Sequence, residues 1–307
     1  MTGDPRRRAR LLLVIGLASV SFASILVRYC AAPALSIAFY RKALASLLIL
    51  LPVLARGKSE PWDAGVQKRL LPYTLGSGLV LAVHFASWIA SIQLTTVASS
   101  LLVMSTQPVW GGVLGYLFLK ESVPRRGLIA IGLSVLGVGL IAWGDMGRGP
   151  GAIMGDALAL LSGFSAAVYL TVGRHLRRSL PLLHYLLTVY GASAVCLGIA
   201  AVAVGDPMTG FDGRTWLMFG LMALFPSALG HSLVNYAVRH MEAYRVNLSI
   251  LVEPVVSTVL AAVLFAEIPG PRFYAGACLV LAAVFMALWQ PRGQAGGEGS
   301  ISVSDPE

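Results

Sequence analysis

Ionisable and amide side chains inside long apolar stretches are the residues of this sequence that could do chemistry. Glu253, followed by Pro254, lies well inside one such stretch. A charged side chain facing lipid would cost at least about 2.5–3.5 kcal/mol, so Glu253 must face protein or a wet cavity. One interpretation is a group that binds protons or responds to the substrate. The other is a protonated acid that hydrogen-bonds the carbonyls freed by Pro254.

Two pairs of residues at helical spacing, each containing a histidine, indicate a small polar site. His84 and Trp88 are four residues apart, and so are His231 and Asn235, which places each pair on one face of a helix. An imidazole, an indole and an amide turned inward suit a small amphiphilic solute. Hydrogen bonding between membrane helices would use the same residue types. We predict substrate contact for all four.

Other polar residues of the apolar stretches give weaker signals. Ser19, Ser165 and Tyr169 could line the same cavity, but small and hydroxyl residues also let membrane helices pack closely. Arg41 lies deeper than a loop residue should. We interpret it as an anchor whose long side chain reaches the membrane surface, with an ion pair to Glu253 as the alternative.

Several kinds of chemistry have no matching pattern in this sequence. Cys30, Cys196 and Cys278 stand at unrelated spacings and form neither a disulfide framework nor a metal-binding pattern. The sequence contains no His-Glu-x-x-His, Gly-x-Ser-x-Gly or Gly-x-x-x-x-Gly-Lys run. We therefore expect no enzymatic activity, no cofactor, no metal and no ATP hydrolysis.

The elements that position these residues are membrane-spanning helices. Apolar residues make up 57% of the 307 residues and charged residues only 12%, which does not suit a soluble core with a wetted surface. A spanning helix needs roughly 20 apolar residues and pairs its own backbone groups. The apolar runs lack the alternation of a membrane β-barrel. We predict ten helices, at 11–28, 33–55, 71–92, 95–118, 127–144, 153–173, 182–204, 215–238, 245–266 and 273–290.

The chain contains an internal repeat with an offset of 146 residues. Gln107 and Pro108 begin an apolar helix in the first half, and Glu253 and Pro254 begin the matching helix in the second. We predict substrate contact for Gln107, and because this residue is neutral, only one half carries a titratable group at this place. Both prolines are expected to kink their helices. The predicted divisions are an N-terminus (1–10), a first repeat (11–144), an outside linker (145–152), a second repeat (153–290) and a disordered tail (291–307).

The distribution of basic residues predicts how the repeats are oriented. The net charge of +9 follows from arginine and lysine in alternate loops, as the positive-inside rule requires, and does not indicate nucleic-acid binding. This bias places both termini in the cytoplasm. Five helices per repeat is an odd number, so the second copy enters from the opposite side. Matching loops exchange their charges accordingly: one carries Arg28 and its counterpart carries Arg174, Arg177 and Arg178. The predicted repeats are therefore inverted.

Paired proline-to-glutamate helices (108–121 and 254–267) occur together with three short polar runs, 84–88 (HFASW), 96–100 (TVASS) and 230–235 (GHSLVN). In these features the chain resembles the drug/metabolite transporter superfamily, of the type with two EamA domains. The resemblance implies an all-α basket of ten helices around a central cavity. Helices one, three and four of each half would line the cavity, and helices five and ten would lie at the periphery.

Inverted halves can expose a site between them to one side of the membrane at a time. We therefore expect a secondary active transporter in the inner or plasma membrane that exports small metabolites such as amino acids. Its energy would come from protons, an exchanged solute or the substrate's own gradient. Drug or cation efflux and solute exchange are the alternatives. A sugar-phosphate exchanger would need more inward basic residues than Arg41 and Lys42, and a channel or scramblase is a further, less favoured class. The sequence identifies neither the solute nor the oligomeric state.

Overall fold

The computed structural model describes residues 5–56, 64–120, 123–143, 150–265 and 271–288. The predicted tail, most of the linker and the two helix-terminal glutamates of the repeat (121 and 267) lie outside these ranges. Throughout the described residues the regular elements are helical. The first half consists of α1 (Pro5–Val20), α2 (Ala23–Arg28), α3 (Ala34–Arg56), α4 (Ala64–Leu94), α5 (Val97–Met104), α6 (Gln107–Leu119) and α7 (Arg125–Trp143).

The second half repeats this order of helices. It consists of α8 (Pro150–Leu176), α9 (Leu182–Val204), α10 (Gly213–Met222), a π-helical segment (Ala223–His231), α11 (Ser232–His240), α12 (Ala243–Ile250), α13 (Val252–Phe265) and α14 (Pro271–Leu288). Within the described residues, seven stretches are long and apolar enough to cross a membrane. The protein is therefore a multi-span α-helical membrane protein built from two repeats, as the sequence predicts.

The fourth predicted span, 95–118, is two short helices rather than one. The chain leaves α5 at Met104 and resumes at Gln107, and the ninth span breaks in the same way between Ile250 and Val252. A proline ring crowds the carbonyl four residues before it, and Met104 and Ile250 stand four residues before the repeated prolines. The break therefore lies upstream of each proline, which begins the second helix instead of bending a continuous one.

The two halves pack against each other as a pseudo-symmetric pair. Adding the 146-residue offset to the bounds of α5 gives those of α12. Helix α4 of the first half packs mainly on α8 of the second half. The equivalent contact joins α1 of the first half to α11 and the π-helical segment of the second. Helices α3 and α9 are repeat equivalents of each other and pack together, and the same is true of α7 and α14. This exchange of partners is what a two-fold relation between repeats produces.

Close backbone contacts hold the equivalent helix crossings together. Gly16 of α1 meets Gly230, where a Cβ atom built on Gly16 would lie 3.0 Å from the Gly230 carbonyl oxygen. The offset relates these glycines to Ser162 and His84, and those two residues also meet, with Ser162 Oγ 2.8 Å from His84 Nδ1. One of the two equivalent helix crossings is thus a backbone contact between glycines, and the other is a contact between two polar side chains.

The π-helical segment breaks the symmetry between the halves. It contains Pro226, and the equivalent residues of the first half lie inside the α-helix α4. A π-helical turn widens the helix and leaves backbone groups to be satisfied by neighbours. One of them, the carbonyl of Phe225, accepts a hydrogen bond from Ser19 Oγ of α1 at 2.7 Å. The segment therefore packs against α1 on one side and α3 on the other.

Candidate functional site

A cavity lies at the centre of the bundle, where helices of both halves converge. Its volume is about 50 Å³, enough for a few water molecules because one water needs roughly 10–15 Å³ of such space. Helices one, three and four of each half contribute to its wall, as the resemblance implies, and α3 adds one residue. The lining residues that carry polar or aromatic groups are Arg41, His84, Phe85, Trp88, Gln107, Tyr169, His231 and Glu253.

The cavity lies on the pseudo-symmetry axis. Phe85 and His231 are equivalent under the repeat, and their rings touch edge to face with centroids 5.4 Å apart. Equivalent residues of two halves can meet only near the axis that relates them. The equivalent pair Gln107 and Glu253 also lines this cavity. Both repeats therefore contribute to the wall of the space between the halves.

The structure gathers most of the predicted site residues around this cavity. Six of them line it: His84, Trp88, Gln107, Tyr169, His231 and Glu253. Asn235 lies directly behind the wall, where its Nδ2 donates hydrogen bonds to Tyr169 Oη and to the His231 carbonyl oxygen, each at 2.8 Å. Asn235 therefore holds two lining residues in place.

The two predicted serines have other positions. Ser19 is tied to the π-helical segment through the carbonyl of Phe225. Ser165 is buried on α8, but it is not part of the cavity wall. Both observations fit the close-packing interpretation of hydroxyl residues in membrane helices.

His84 is held in one orientation by α8. Its Nδ1 lies 2.8 Å from Ser162 Oγ and 3.1 Å from the Ser162 carbonyl oxygen. A carbonyl oxygen can only accept, so a proton on Nδ1 satisfies this contact and leaves Nε2 as the acceptor nitrogen. The imidazole lies nearly parallel to the Trp88 indole, with an interplanar angle of 5°. His84 and Trp88 therefore form one wall of the cavity.

Gln107 connects the two repeats across the helix breaks. Its Nε2 donates a hydrogen bond of 2.7 Å to Asn247 Oδ1 on α12. Asn247 also packs against Gly111, where an added Cβ atom would lie 2.6 Å from Asn247 Nδ2. The amide at position 107 is thus both a lining residue and a bridge between the halves.

Glu253 is buried beside the cavity, with 3% of its surface exposed. Pro254 follows it in the first turn of α13, and the carbonyl of Pro254 accepts a hydrogen bond from Thr258 Oγ1 at 2.7 Å. Among the described contacts there is no hydrogen bond from Glu253 to a backbone carbonyl. Glu253 therefore lies at the cavity, and its role in binding protons or responding to the substrate stays a prediction.

Arg41 is the lining residue that the sequence interpretation placed wrongly. We interpreted it as an anchor reaching the membrane surface, but its side chain is fully buried (0% exposed) and lines the cavity. Its Nε donates a hydrogen bond of 2.8 Å to Ser227 Oγ in the π-helical segment. Its guanidinium carbon lies 4.4 Å from the ring centroid of Phe85 and 5.3 Å from that of Trp88. The aromatic faces offset part of the cost of burying this charge.

Lys42, the next residue, is also fully buried but faces elsewhere. Its Nζ lies 3.7 Å from the Phe85 ring centroid and 4.3 Å from that of Tyr190, and it is not part of the cavity wall. Consecutive helix residues point about 100° apart. Both cations lie against the Phe85 ring, and of the two only Arg41 lines the cavity.

Comparison with known proteins supports this architecture. The EamA-like transporter family model matches residues 7–143 and, a second time, residues 153–289. The chain belongs to the EamA-like transporter family. Two matches in one EamA-like chain correspond to the two repeats, and the cavity described above lies between them. Membership favours a membrane transporter over an enzyme, and it confirms the superfamily resemblance drawn from the sequence.

Individual relatives agree with this assignment. An uncharacterized transporter of Archaeoglobus fulgidus is 27% identical over 277 residues, which cover 90% of this chain and 94% of the relative. The uncharacterized transporter YdfC of Bacillus subtilis is 24% identical over 169 residues, 55% of each chain. A solved crystal structure matches the fold with a TM-score of 0.75 at 17% sequence identity, covering 92% of this chain and 96% of that one. That likeness supports the fold alone.

One signal in the sequence could have placed Arg41 correctly in this EamA-like protein. The repeat offset relates Arg41 to Leu187 of α9, an apolar residue. A charge that only one of two equivalent helices carries is not required by the fold. The same argument applies to Glu253, because its repeat equivalent Gln107 is neutral. Arg41 and Glu253 both lie at the cavity. Lys42, which the offset relates to Thr188, is a third unmatched buried charge and is not part of the wall, so the comparison of repeats narrows the functional candidates without identifying them alone.

Proposed function

We propose that this EamA-like protein is a secondary active transporter that exports a small amphiphilic metabolite, such as an amino acid, by alternating access. The observation that carries the proposal is the cavity on the pseudo-symmetry axis, lined by polar residues of both repeats. Halves of opposite orientation can exchange conformations, and this opens a shared site to each side in turn. In this proposal the protein lies in the inner or plasma membrane, and both termini are in the cytoplasm.

The small volume of the cavity supports a site that must open to admit a solute. At about 50 Å³ it is too small for most metabolites beyond a few atoms, and its lining residues are largely buried. In the alternating-access scheme, the breaks at Ser105–Thr106 and Leu251 are where the halves can bend. Helix breaks of this kind line the substrate sites of transporters built from repeats.

Glu253 is the group we propose for coupling transport to protons. It is the acidic residue of the cavity wall, and its repeat equivalent Gln107 cannot titrate. Exchange for a second solute, or drug and cation efflux, would use the same cavity and are the alternative transport modes. Arg41 in the wall makes a cationic substrate the less favoured of these.

Counterflow in proteoliposomes tests the proposed function. We expect saturable exchange of a labelled amino acid against the same unlabelled solute, without ionic conductance. His84→Ala should reduce this exchange at least about tenfold, because the variant removes a wall of the cavity. The matched control is His175→Ala, since His175 is an exposed histidine outside the cavity. A conductance that does not saturate would indicate a channel, and product formation would indicate an enzyme; either result would refute the proposal.

A further inference from the structure

Three nitrogen donors of the residues that line the central cavity have no hydrogen-bond acceptor within the part of the chain that the structure describes. They are Nη1 and Nη2 of Arg41 and Nε1 of Trp88, and all three are buried. Both residues line the cavity, and the Arg41 guanidinium stacks near the Trp88 ring. Buried donors in folded proteins are normally paired, since leaving one unpaired costs about 1–3 kcal/mol, more for a charged group. The donors therefore need acceptors, which water supplies in the closed cavity and a bound solute can replace.

Arg41 is not accounted for as a structural residue. A structural guanidinium in the membrane interior would be paired with an acid, yet no ion pair within 4.0 Å joins Arg41 to an acidic residue of the described chain. Glu253 acts on the Arg41 charge electrostatically, but from beyond that distance. The equivalent position of the other repeat is Leu187, so the fold forms this helix without a charge. The Ser227 contact fixes Nε and leaves the two terminal nitrogens of the fork buried without an acceptor among the described residues, in a side chain that lines the cavity.

We infer that Arg41 binds a carboxylate group of the transported solute. The planar guanidinium presents two parallel N–H donors, which match the two oxygens of a carboxylate. Trp88 Nε1 supplies a third donor. Glu253 lies on the wall of the same cavity and supplies negative charge for a cationic group on the solute. The site thus fits a zwitterion with a carboxylate and an ammonium group. This inference rests on the proposed transport function and names the chemical class of its substrate.

The wall favours a carboxylate over a phosphate. A phosphate dianion is normally held by several cations, but Arg41 is the basic residue of the described cavity wall, and the Lys42 Nζ lies against the Phe85 and Tyr190 rings outside that wall. Glu253 would also repel a second negative charge. One guanidinium fork and one indole donor balance a single carboxylate with its two oxygens. Inorganic phosphate is therefore the expected non-ligand in the test.

Matched pairs of acids and amides test the inference on the purified full-length protein. Thermal shift and counterflow are measured with the twenty common L-amino acids and with their amides, which differ only in the carboxylate. Binding to the native state raises the melting temperature. We expect the best acid to be favoured over its amide by about 10- to 100-fold, the range for a hydrogen bond to a charged group. Inorganic phosphate should produce no shift.

Three variants separate binding from folding. Arg41→Gln should bring the acid-to-amide preference close to one, and Arg41→Lys should restore part of it, because lysine keeps the charge but loses the fork. Lys42→Gln removes the neighbouring buried cation, which is outside the cavity wall, and should keep the wild-type preference whatever its effect on transport rate. The ligand-free melting temperature of Arg41→Gln should equal or exceed that of wild type, because an unpaired buried charge is lost.

Each outcome bears on the inference. Equal binding of acids and amides by wild type, a preference retained by Arg41→Gln, or a phosphate shift larger than that of any acid would overturn it. A large fall in melting temperature for Arg41→Gln with an unchanged acid preference would assign Arg41 a structural role. Saturable counterflow of an amide or a cation would leave the transport function standing while refuting the carboxylate site. Conductance in place of counterflow would instead refute the transport function.

Discussion

Gly163 of α8 provides a sharp test of the helix break that borders the cavity. A Cβ atom at this position would lie 2.6 Å from the carbonyl oxygen of Met104, the last residue of α5. Real Cβ contacts do not come this close, and the obstacle is backbone, so Gly163→Ala must displace α5 or α8. Overpacking of this kind costs about 1–3 kcal/mol. The better helix propensity of alanine returns about 0.5–1 kcal/mol, so the net destabilisation is about 1 kcal/mol, within a range of about 0–2.5 kcal/mol.

The measurement is the melting temperature of the purified protein in detergent, followed by intrinsic fluorescence. Gly76→Ala in α4 is the matched control, because a Cβ atom there meets nothing within 4 Å. We expect the control to melt at or above the wild-type temperature and Gly163→Ala to melt several degrees below it. Identical melting of the two variants would show that α5 and α8 do not approach each other as described, and the position assigned to the break would be wrong.

Three further predictions concern the cavity and its surroundings. Glu253→Gln should weaken transport more than Gln107→Ala and flatten its dependence on pH, because it removes the acid of the cavity wall; equal activity of Glu253→Gln and wild type from about pH 5 to 8 would eliminate its coupling role. Trp88→Ala should change which solutes compete in counterflow rather than the amount of protein in the membrane; loss of protein with unchanged transport per molecule would instead indicate packing. Burial, and secondarily Asp212, raises the pKa of the Cys30 thiol to about 12, so the thiolate is scarce at neutral pH. Alkylation of Cys30 should therefore be slower in the folded protein than in detergent-denatured chain, and equal rates would contradict the partial burial of this thiol.

The internal repeat made much of the fold predictable from the sequence. The 146-residue offset that pairs Pro108 with Pro254 also relates the helices that the two prolines begin, as the bounds of α6 and α13 show. Hydropathy stays high through 95–118, so it gave no sign that this span is two helices. The proline did carry that information, because its ring crowds the carbonyl of Met104 and ends the preceding helix.

The side of each helix that faces the cavity was harder to predict than the position of the helix in the sequence. The spacing of His84 and Trp88 placed them on one face, and that face lines the cavity. Ser19 lacked a comparable partner, and its orientation is set by the Phe225 carbonyl of the π-helical segment, which no local pattern revealed. Arg41 was misplaced because basic residues in membrane helices usually reach the surface. Its actual contacts, Ser227 and the Phe85 ring, come from distant parts of the sequence.

The inverted relation of the two repeats is the central claim of this account, and labelling of two equivalent positions tests it most directly. Arg125 begins α7 and Pro271 begins α14, and the repeat offset relates them. Arg125→Cys and Pro271→Cys are introduced singly into a chain whose three native cysteines are serine, and intact cells are treated with a membrane-impermeant maleimide. We predict labelling of the cysteine at 271 from outside, with the cysteine at 125 labelled only after permeabilisation. Labelling of both from the same side would contradict the inverted repeat, and the alternating-access proposal would lose its structural basis.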